Sequence, residues 1–161
     1  MKQAKIYSNW QLTALVVLRF LIGWHILYEG LAKLLNPQWS SLGFLQQSQG
    51  LISGFAKWVI SNPGVLNTVD FLNTWGLIAI GLGLLFGLLA RPAAIAGAAL
   101  IFVYYLNSPP MVGVEYALPV DGNYLIVDKT LIESVSLIVL ALFPTSRIFG
   151  LDALFAKRNQ K

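Results

Sequence analysis

Four long apolar segments dominate this chain of 161 residues and limit what it can fold into. A helix that crosses the hydrocarbon core of a membrane needs roughly 20 residues. Inside lipid, backbone polar groups must find partners within the protein, so these segments are predicted to be helices. We therefore expect a single domain over residues 1–161 of the all-α class, an integral membrane four-helix bundle with spans at approximately residues 10–35, 71–90, 92–107 and 123–143.

The composition excludes several other classes of protein. Hydrophobic residues make up 57% of the chain and charged residues 11%, whereas a soluble domain carries about 25% charged residues. The net charge of +4 does not indicate nucleic-acid binding, because the eleven basic residues are spread thinly. The absence of cysteine excludes disulfides, thiolate catalysis and iron–sulfur clusters. Membrane lipid is the expected partner, and nucleic acid is not.

The first connection, residues 38–69, carries apolar residues at helical spacing, namely Phe44, Leu51, Phe55 and Val59. This spacing predicts an additional amphipathic helix in the first exterior loop, lying in the membrane interface or capping the bundle.

Three glycines, Gly76, Gly83 and Gly87, share one face of the second span. Small residues let helix backbones approach closely in lipid, so this face is predicted to pack against a neighbouring helix.

The basic residues predict the orientation of the chain in the membrane. Loops on the cytoplasmic side carry an excess of lysine and arginine. Both termini and the turn between the second and third spans are therefore predicted to be cytoplasmic, and both long loops exterior. The residues on the cytoplasmic side are Lys2, Lys5, Arg91, Arg147, Lys157, Arg158 and Lys161, against Lys57 and the boundary residue Lys33 on the other.

Ionisable residues within the first and fourth spans are the main functional signal, because such side chains are costly in a bilayer and usually functional. The formal charges balance, which offsets part of the desolvation cost. The polar groups of all four spans are expected to meet near the exterior face, in a pocket floored near Arg19. The candidates are Arg19, His25, Glu29 and Lys33 on the first span, Asn73 on the second, Tyr104, Tyr105 and Asn107 on the third, and Asp128, Lys129 and Glu133 on the fourth.

Two interpretations stay open for each charged candidate of the first span. Arg19 either pairs with a carboxylate of the fourth span or contacts a substrate directly. Glu29 and Lys33 are four residues apart, so they form an interfacial ion pair, or else Glu29 is a buried acid that exchanges protons.

His25 and the two tyrosines also have a structural interpretation. His25 is the only histidine, so we expect a satisfied histidine of the bundle rather than a ligand that binds metal with carboxylates, and we predict no metal site. Tyr104 and Tyr105 lie where aromatic residues commonly anchor a membrane protein at the interface.

Short motifs along nearly the whole chain resemble one known family. The first span reads Arg19-Phe20-Leu21-Ile22-Gly23 and then Tyr28-Glu29-Gly30, and the second ends at Gly87-Leu88-Leu89-Ala90-Arg91-Pro92. These motifs, with the long first loop, resemble the DoxX family and its DoxD-like branch, the small subunit of thiosulfate:quinone oxidoreductase.

The resemblance implies a membrane subunit that passes electrons from a small sulfur-type donor to membrane quinone, in the cytoplasmic membrane of a bacterium or archaeon. Under this hypothesis Arg19 and Glu29 are the catalytic residues, quinone is the ligand, and the other polar candidates line its pocket. The alternative is a non-catalytic scaffold that docks a periplasmic or membrane protein partner, or a further copy of the chain. A small-solute transporter or lipid-binding protein is a third possibility.

Overall fold

The computed structural model describes residues 7–111, 113, 116 and 125–154. Within these residues the chain is helical and contains no β-strand. The helices are α1 (Asn9–Leu34), α2 (Leu42–Gln46), α3 (Ser53–Ile60), α4 (Pro63–Phe86), α5 (Ala90–Asn107) and α6 (Lys129–Leu142).

Three of these helices, α1, α4 and α5, are long and apolar enough to cross a membrane. The fourth predicted span is represented by α6, which has 14 residues. At 1.5 Å per residue it is about 21 Å long, shorter than a hydrocarbon core of about 30 Å. The structure therefore supports an all-helical membrane protein with three candidate spans.

The start of α1 agrees with the prediction from the sequence, and the start of α4 does not. The α1 helix follows its prediction closely and begins with a capping box between Ser8 and Gln11. The α4 helix begins at Pro63, eight residues before the predicted start, because proline is well suited to the first helical turn.

The α6 helix begins at Lys129 rather than at residue 123. The Asp128 carboxylate accepts a hydrogen bond from the backbone N–H of Leu131 at 2.8 Å, which fixes the start of the helix. Residues 125–128 are not helical, and residues 123 and 124 lie outside the described part of the chain.

Two helix pairs, α1 with α4 and α5 with α6, form the most extensive contacts, and α4 joins the pairs by packing against α5. A shared apolar core includes the fully buried side chains Ile26, Leu77, Leu84 and Leu137. We name the two ends of this assembly by their connections. The loop end holds the end of α1, residues 35–62, the start of α4 and the end of α5. The turn end holds residues 87–89, between α4 and α5.

Large apolar side chains remain exposed on the outer surface of the assembly. Leu21 and Trp24 on α1 are 65% and 61% exposed, and Phe71 on α4 is 61% exposed. A surface of this kind is unfavourable in water and is suited to contact with lipid.

The first connection differs from the single amphipathic helix expected from the sequence. It contains two short helices, α2 and α3, separated by residues 47–52. Gly50 interrupts the pattern, and its backbone N–H donates to the Asn107 carbonyl at 3.3 Å. Of the predicted apolar face, Val59 is buried whereas Leu51 and Phe55 are exposed.

The closest approach of α1 to α4 uses Gly81, which was not among the glycines singled out in the sequence. A Cβ at Gly81 would lie 2.6 Å from the backbone N of Leu27, whereas one at Gly76 would meet nothing within 4 Å. Gly83 faces Ala93 at 3.0 Å, in agreement with close packing at that position. Gly76 therefore does not mark a helix contact, and Gly81 does.

These two glycines provide a matched test of the α1–α4 contact. We expect Gly81→Ala to lower the free energy of unfolding by about 1–3 kcal/mol, because the added methyl group overpacks backbone against backbone. Gly76→Ala should be neutral or stabilising by up to about 1 kcal/mol, because alanine is the better helix former. Thermal unfolding of the detergent-purified variants, followed by helical circular dichroism, measures both. Equal melting temperatures for the two variants would contradict this packing.

Candidate functional site

A cleft of about 620 Å³ opens at the loop end, between α1, the first connection, α4 and α5. It lies against the apolar and aromatic side chains of Ala32, Trp39 and Phe44. Four of the predicted site residues also line it, namely Glu29, Lys33, Asn73 and Tyr104. The cleft therefore brings together predicted site residues of α1, α4 and α5.

Glu29 and Lys33 form an ion pair along the cleft. The Lys33 Nζ atom lies 3.0 Å from Glu29 Oε2, across one turn of α1. The Lys33 side chain is 14% exposed, and its Nζ also lies 5.5 Å from the centre of the Trp39 ring. A cation above an aromatic face is attracted by the ring quadrupole. Two contacts therefore stabilise the largely buried ammonium, and the Glu29 side chain remains 51% exposed.

Asn73 and Tyr104 form the polar part of the cleft wall on α4 and α5. The Asn73 side-chain amide donates to the Tyr104 hydroxyl at 2.6 Å, and the ring of Phe44 packs edge-on against Tyr104. The Tyr104 hydroxyl accepts in this contact, so its own O–H can donate to another group. The Asn73 Oδ1 atom is buried and has no hydrogen-bond partner among the described residues.

Ser41 and Asp70 attach the first connection to α4 beside the cleft. The Asp70 carboxylate accepts hydrogen bonds from the Ser41 backbone N–H at 2.9 Å and from the Ser41 hydroxyl. Ser41 itself lines the cleft and is 5% exposed. Sequence analysis missed Ser41, because no helical pattern or charge marks a serine in a loop.

Three other predicted residues of α1 and α5, His25, Tyr105 and Asn107, lie outside the cleft and contact other groups. His25 Nδ1 lies 2.9 Å from Glu133 Oε1, linking α1 to α6. The Tyr105 hydroxyl donates to the Ile126 carbonyl at 2.8 Å. The side chain of Asn107, which is 1% exposed, donates to the Phe44 carbonyl at 3.0 Å.

Asp128 and Lys129 also lie outside the cleft, at the start of α6. Asp128 caps the helix, and Lys129 is its exposed first residue. The predicted meeting of polar groups from all four spans therefore separates into a cleft built by α1, α4 and α5 and a set of contacts around α6.

Arg19 lies near the middle of α1 (Asn9–Leu34), about 15 Å from Glu29 at 1.5 Å per residue, and its side chain contacts residues at the turn end. Arg19 is 2% exposed. Nη1 donates to the Thr145 hydroxyl at 2.9 Å, and Nη2 donates to the Phe149 carbonyl at 2.6 Å. The expectation that Arg19 floors the pocket or pairs with a carboxylate of the fourth span is corrected here, because its partners follow α6 in the chain.

Asp152 extends this set of contacts at the turn end. Its carboxylate accepts hydrogen bonds from the backbone N–H groups of Leu89 at 2.8 Å and Ala90 at 3.3 Å. Burial alone would raise the pKa of Asp152, but hydrogen bonds from Ser146, Leu89 and Ala90 and the charge of Arg147 hold it below its usual value. Asp152 thus caps the start of α5, a position at which the helix supplies no side-chain cap of its own.

Glycines permit the close contact between this C-terminal segment and the turn. Gly87 has φ +63°, and a Cβ there would lie 2.8 Å from the Cα of Gly150. The backbone N–H of Asp152 donates to the Gly87 carbonyl at 2.9 Å. Residues 145–152 are therefore attached to the turn by backbone contacts and to α1 by Arg19.

We expect Arg19→Met to detach residues 145–152. It removes two hydrogen bonds from a charged donor, each worth about 1.5–3 kcal/mol, and leaves the Phe149 carbonyl without this donor. Trypsin cleavage after Arg147 should become faster in the detergent-purified protein, and the melting temperature should fall. Lys57→Gln, which removes an exposed charge at the loop end, should change neither. Unchanged cleavage in the Arg19 variant would show that Arg19 does not hold this segment.

Comparison with known proteins gives one match. The family model described as DoxX matches residues 14–107, which run from the first turns of α1 to the end of α5 and include every described residue that lines the cleft. Searches of curated proteins and of solved structures found no match.

Proposed function

Since the chain belongs to the DoxX family, we propose that this membrane protein is the quinone-binding subunit of an oxidoreductase and that quinone occupies the cleft at the loop end. In this proposal electrons from a small sulfur-type donor reach the quinone, either directly or through a companion subunit. The finer assignment to the DoxD-like branch is part of the same proposal. The observation that carries it is a cleft that combines the aromatic surfaces of Trp39 and Phe44 with polar groups from α1, the first connection, α4 and α5.

The size and chemistry of the cleft support a small amphipathic ligand. Its volume of about 620 Å³ lies within the range of small-molecule sites, roughly 300–1,000 Å³. Trp39 and Phe44 offer aromatic surfaces to a planar ring. Because the outer surface of the assembly is apolar, a ligand with a hydrocarbon tail would reach the cleft through the membrane.

Asn73 and Tyr104 provide complementary hydrogen-bonding groups for the two redox forms of such a ligand. The Tyr104 O–H can donate to a quinone carbonyl, while its oxygen continues to accept from Asn73 at 2.6 Å. The buried Asn73 Oδ1, which has no partner among the described residues, would accept from a quinol hydroxyl. Both groups are therefore useful to a site that binds quinone before reduction and quinol after it.

Glu29 is our candidate for proton transfer in this site. Reduction of a quinone to a quinol consumes two electrons and two protons, so a group that exchanges protons must lie beside it. The Glu29 carboxylate lines the cleft, is half exposed and is oriented by Lys33 at 3.0 Å. Lys33 and the exposed Lys57 at the same end would attract an anionic electron donor. Arg19, whose contacts lie at the turn end, is no longer proposed as catalytic.

The proposal includes four membrane spans, with α6 as the fourth. The outward face of α6 is apolar, with Ile132, Val135 and Leu142 exposed by 58%, 51% and 65%, which favours contact with lipid. Exposed Arg91 and Arg147 lie at the turn end, and the positive-inside rule favours the cytoplasm for that end. We accordingly propose a bacterial or archaeal inner membrane, cytoplasmic termini and a cleft near the exterior face.

The two adjacent tyrosines allow a matched test of quinone binding. Tyr104→Phe removes the hydroxyl in the cleft, whereas Tyr105→Phe removes one that donates to the Ile126 carbonyl outside it. We expect Tyr104→Phe to weaken binding of a short-chain quinone about five- to tenfold, because a hydrogen bond contributes about 1 kcal/mol or slightly more. Tyr105→Phe should bind as the unchanged protein does. Calorimetric titration in detergent measures the three dissociation constants.

Absence of quinone binding to the unchanged protein, or equal binding by both tyrosine variants, would contradict the proposed site.

The proton role is tested separately with Glu29→Gln, which keeps the shape of the side chain. This variant should bind quinone normally and reduce it more slowly, and normal turnover would remove Glu29 from the mechanism.

A scaffold role is the second candidate, and one observation favours it. Phe55 and Trp58 on α3 are 56% and 53% exposed and lie beside each other, with ring centres 5.7 Å apart. Aromatic residues of this kind are common in the buried centres of protein interfaces. If the chain docks a partner here, the Phe55→Ala and Trp58→Ala variants should lose a stoichiometric co-purifying protein that Glu29→Gln retains.

A further inference from the structure

A second groove lies on the outer surface between α5 and α6, away from the cleft. It has a volume of about 190 Å³ and is lined by Arg91, Ile95, Ala98, Ile138, Ala141 and Leu142. Arg91 is in the first turn of α5 and Leu142 is the last residue of α6. The two helices are antiparallel neighbours, so this groove lies at the turn end.

The depth of the groove follows from the sizes of its residues. Ala98 and Ala141 are 7% exposed each and form the floor, because their small side chains leave space between the helices. Ile95 and Ile138, which are 55% and 47% exposed, form its sides. An apolar channel of this shape on the face of membrane helices matches a hydrocarbon chain.

Positive charge at one end of the groove favours a ligand that carries an anionic group. Arg91 is exposed, and no ion pair or side-chain hydrogen bond joins it to another described residue. The nearby Asp152 carboxylate already accepts hydrogen bonds from the backbone of Leu89 and Ala90. Arg147 adds a second exposed cation at the turn end. This end therefore has an excess of positive charge beside an apolar channel.

We propose that the groove between α5 and α6 binds an anionic phospholipid, with one acyl chain along Ile95, Ala98 and Ile138 and the phosphate on the Arg91 guanidinium. Arginine binds phosphate oxygens through paired N–H groups. Basic pockets between membrane helices favour anionic headgroups in the same way. The site is independent of the cleft and of its proposed quinone.

The test is native mass spectrometry of the intact, detergent-purified protein titrated with phosphatidylglycerol or phosphatidylcholine of identical acyl chains. We expect phosphatidylglycerol to bind about fivefold more tightly, which corresponds to the roughly 1 kcal/mol that one arginine contributes near an anionic lipid. Arg91→Gln should abolish this preference. Arg147→Gln removes the same charge at the same end without altering the groove, and it should retain the preference.

The acyl-chain contact is tested with Ile95→Trp, which adds bulk at an exposed position on the side of the groove. This variant should bind both lipids more weakly, at an unchanged melting temperature. Glycerol phosphate, a headgroup without chains, should not compete with the lipid. Equal binding of the two lipids by the unchanged protein, equal loss of preference in both arginine variants, or unaltered binding by Ile95→Trp would each overturn the proposal.

Discussion

The structure depends on one constraint, which is that polar groups within an apolar environment must find partners inside the protein. An unsatisfied polar group in hydrocarbon costs several kcal/mol. Arg19 is an example, because Nη1 and Nη2 of its buried side chain donate to Thr145 and Phe149, from a segment more than a hundred residues away. Its Nε has no partner among the described residues. Ser134 follows the same rule by donating across helices to the Ala98 carbonyl at 3.0 Å. The polar contacts consequently occur at the cleft, around α6 and around Arg19, and the Ser134 contact joins α6 to the core residue Ala98.

Close packing of α1 and α4 connects this constraint to the candidate site. Because Gly81 has no side chain, the backbone of α1 at Leu27 can lie against it. Two and six residues further along α1, Glu29 and Lys33 reach the same cleft as Asn73 of α4. A wider helix separation would move this ion pair away from Asn73 and Tyr104. The quinone binding and proton transfer proposed for the cleft therefore depend on Gly81, although Gly81 does not line the cleft.

The sequence predicted those features that depend on local pattern. It predicted an all-helical membrane protein and the bounds of α1 from apolar length. The spacing of four residues also gave the pairing of Glu29 with Lys33 as one of two interpretations, and the structure contains that pair. It also placed Asn73 and Tyr104 at the same depth, and they line one cleft. The start of α6 was missed because an apolar run continues through residues 125–127, whereas Asp128 fixes the first turn.

Features that depend on contacts between distant segments could not be predicted from one sequence. The partners of Arg19 follow Pro144, beyond the last predicted helix, so no spacing rule connects them to α1. Ser41 reaches the cleft only because its loop folds back onto Asp70. Gly76 and Gly81 have similar local sequences, and only the packing of α1 distinguishes them. The groove between α5 and α6 likewise exists only because Ala98 and Ala141 face each other across the two helices.

Accessibility of single cysteines would test the central claim most directly, namely that the cleft lies at the exterior end and the Arg19 contacts lie at the cytoplasmic end. The chain contains no cysteine, so each variant carries one label site. Gln38→Cys at the loop end and Arg147→Cys at the turn end replace exposed residues. In intact spheroplasts a membrane-impermeant maleimide should label Gln38→Cys and should label Arg147→Cys only after permeabilisation. The reverse pattern, or labelling of both variants before permeabilisation, would contradict this account.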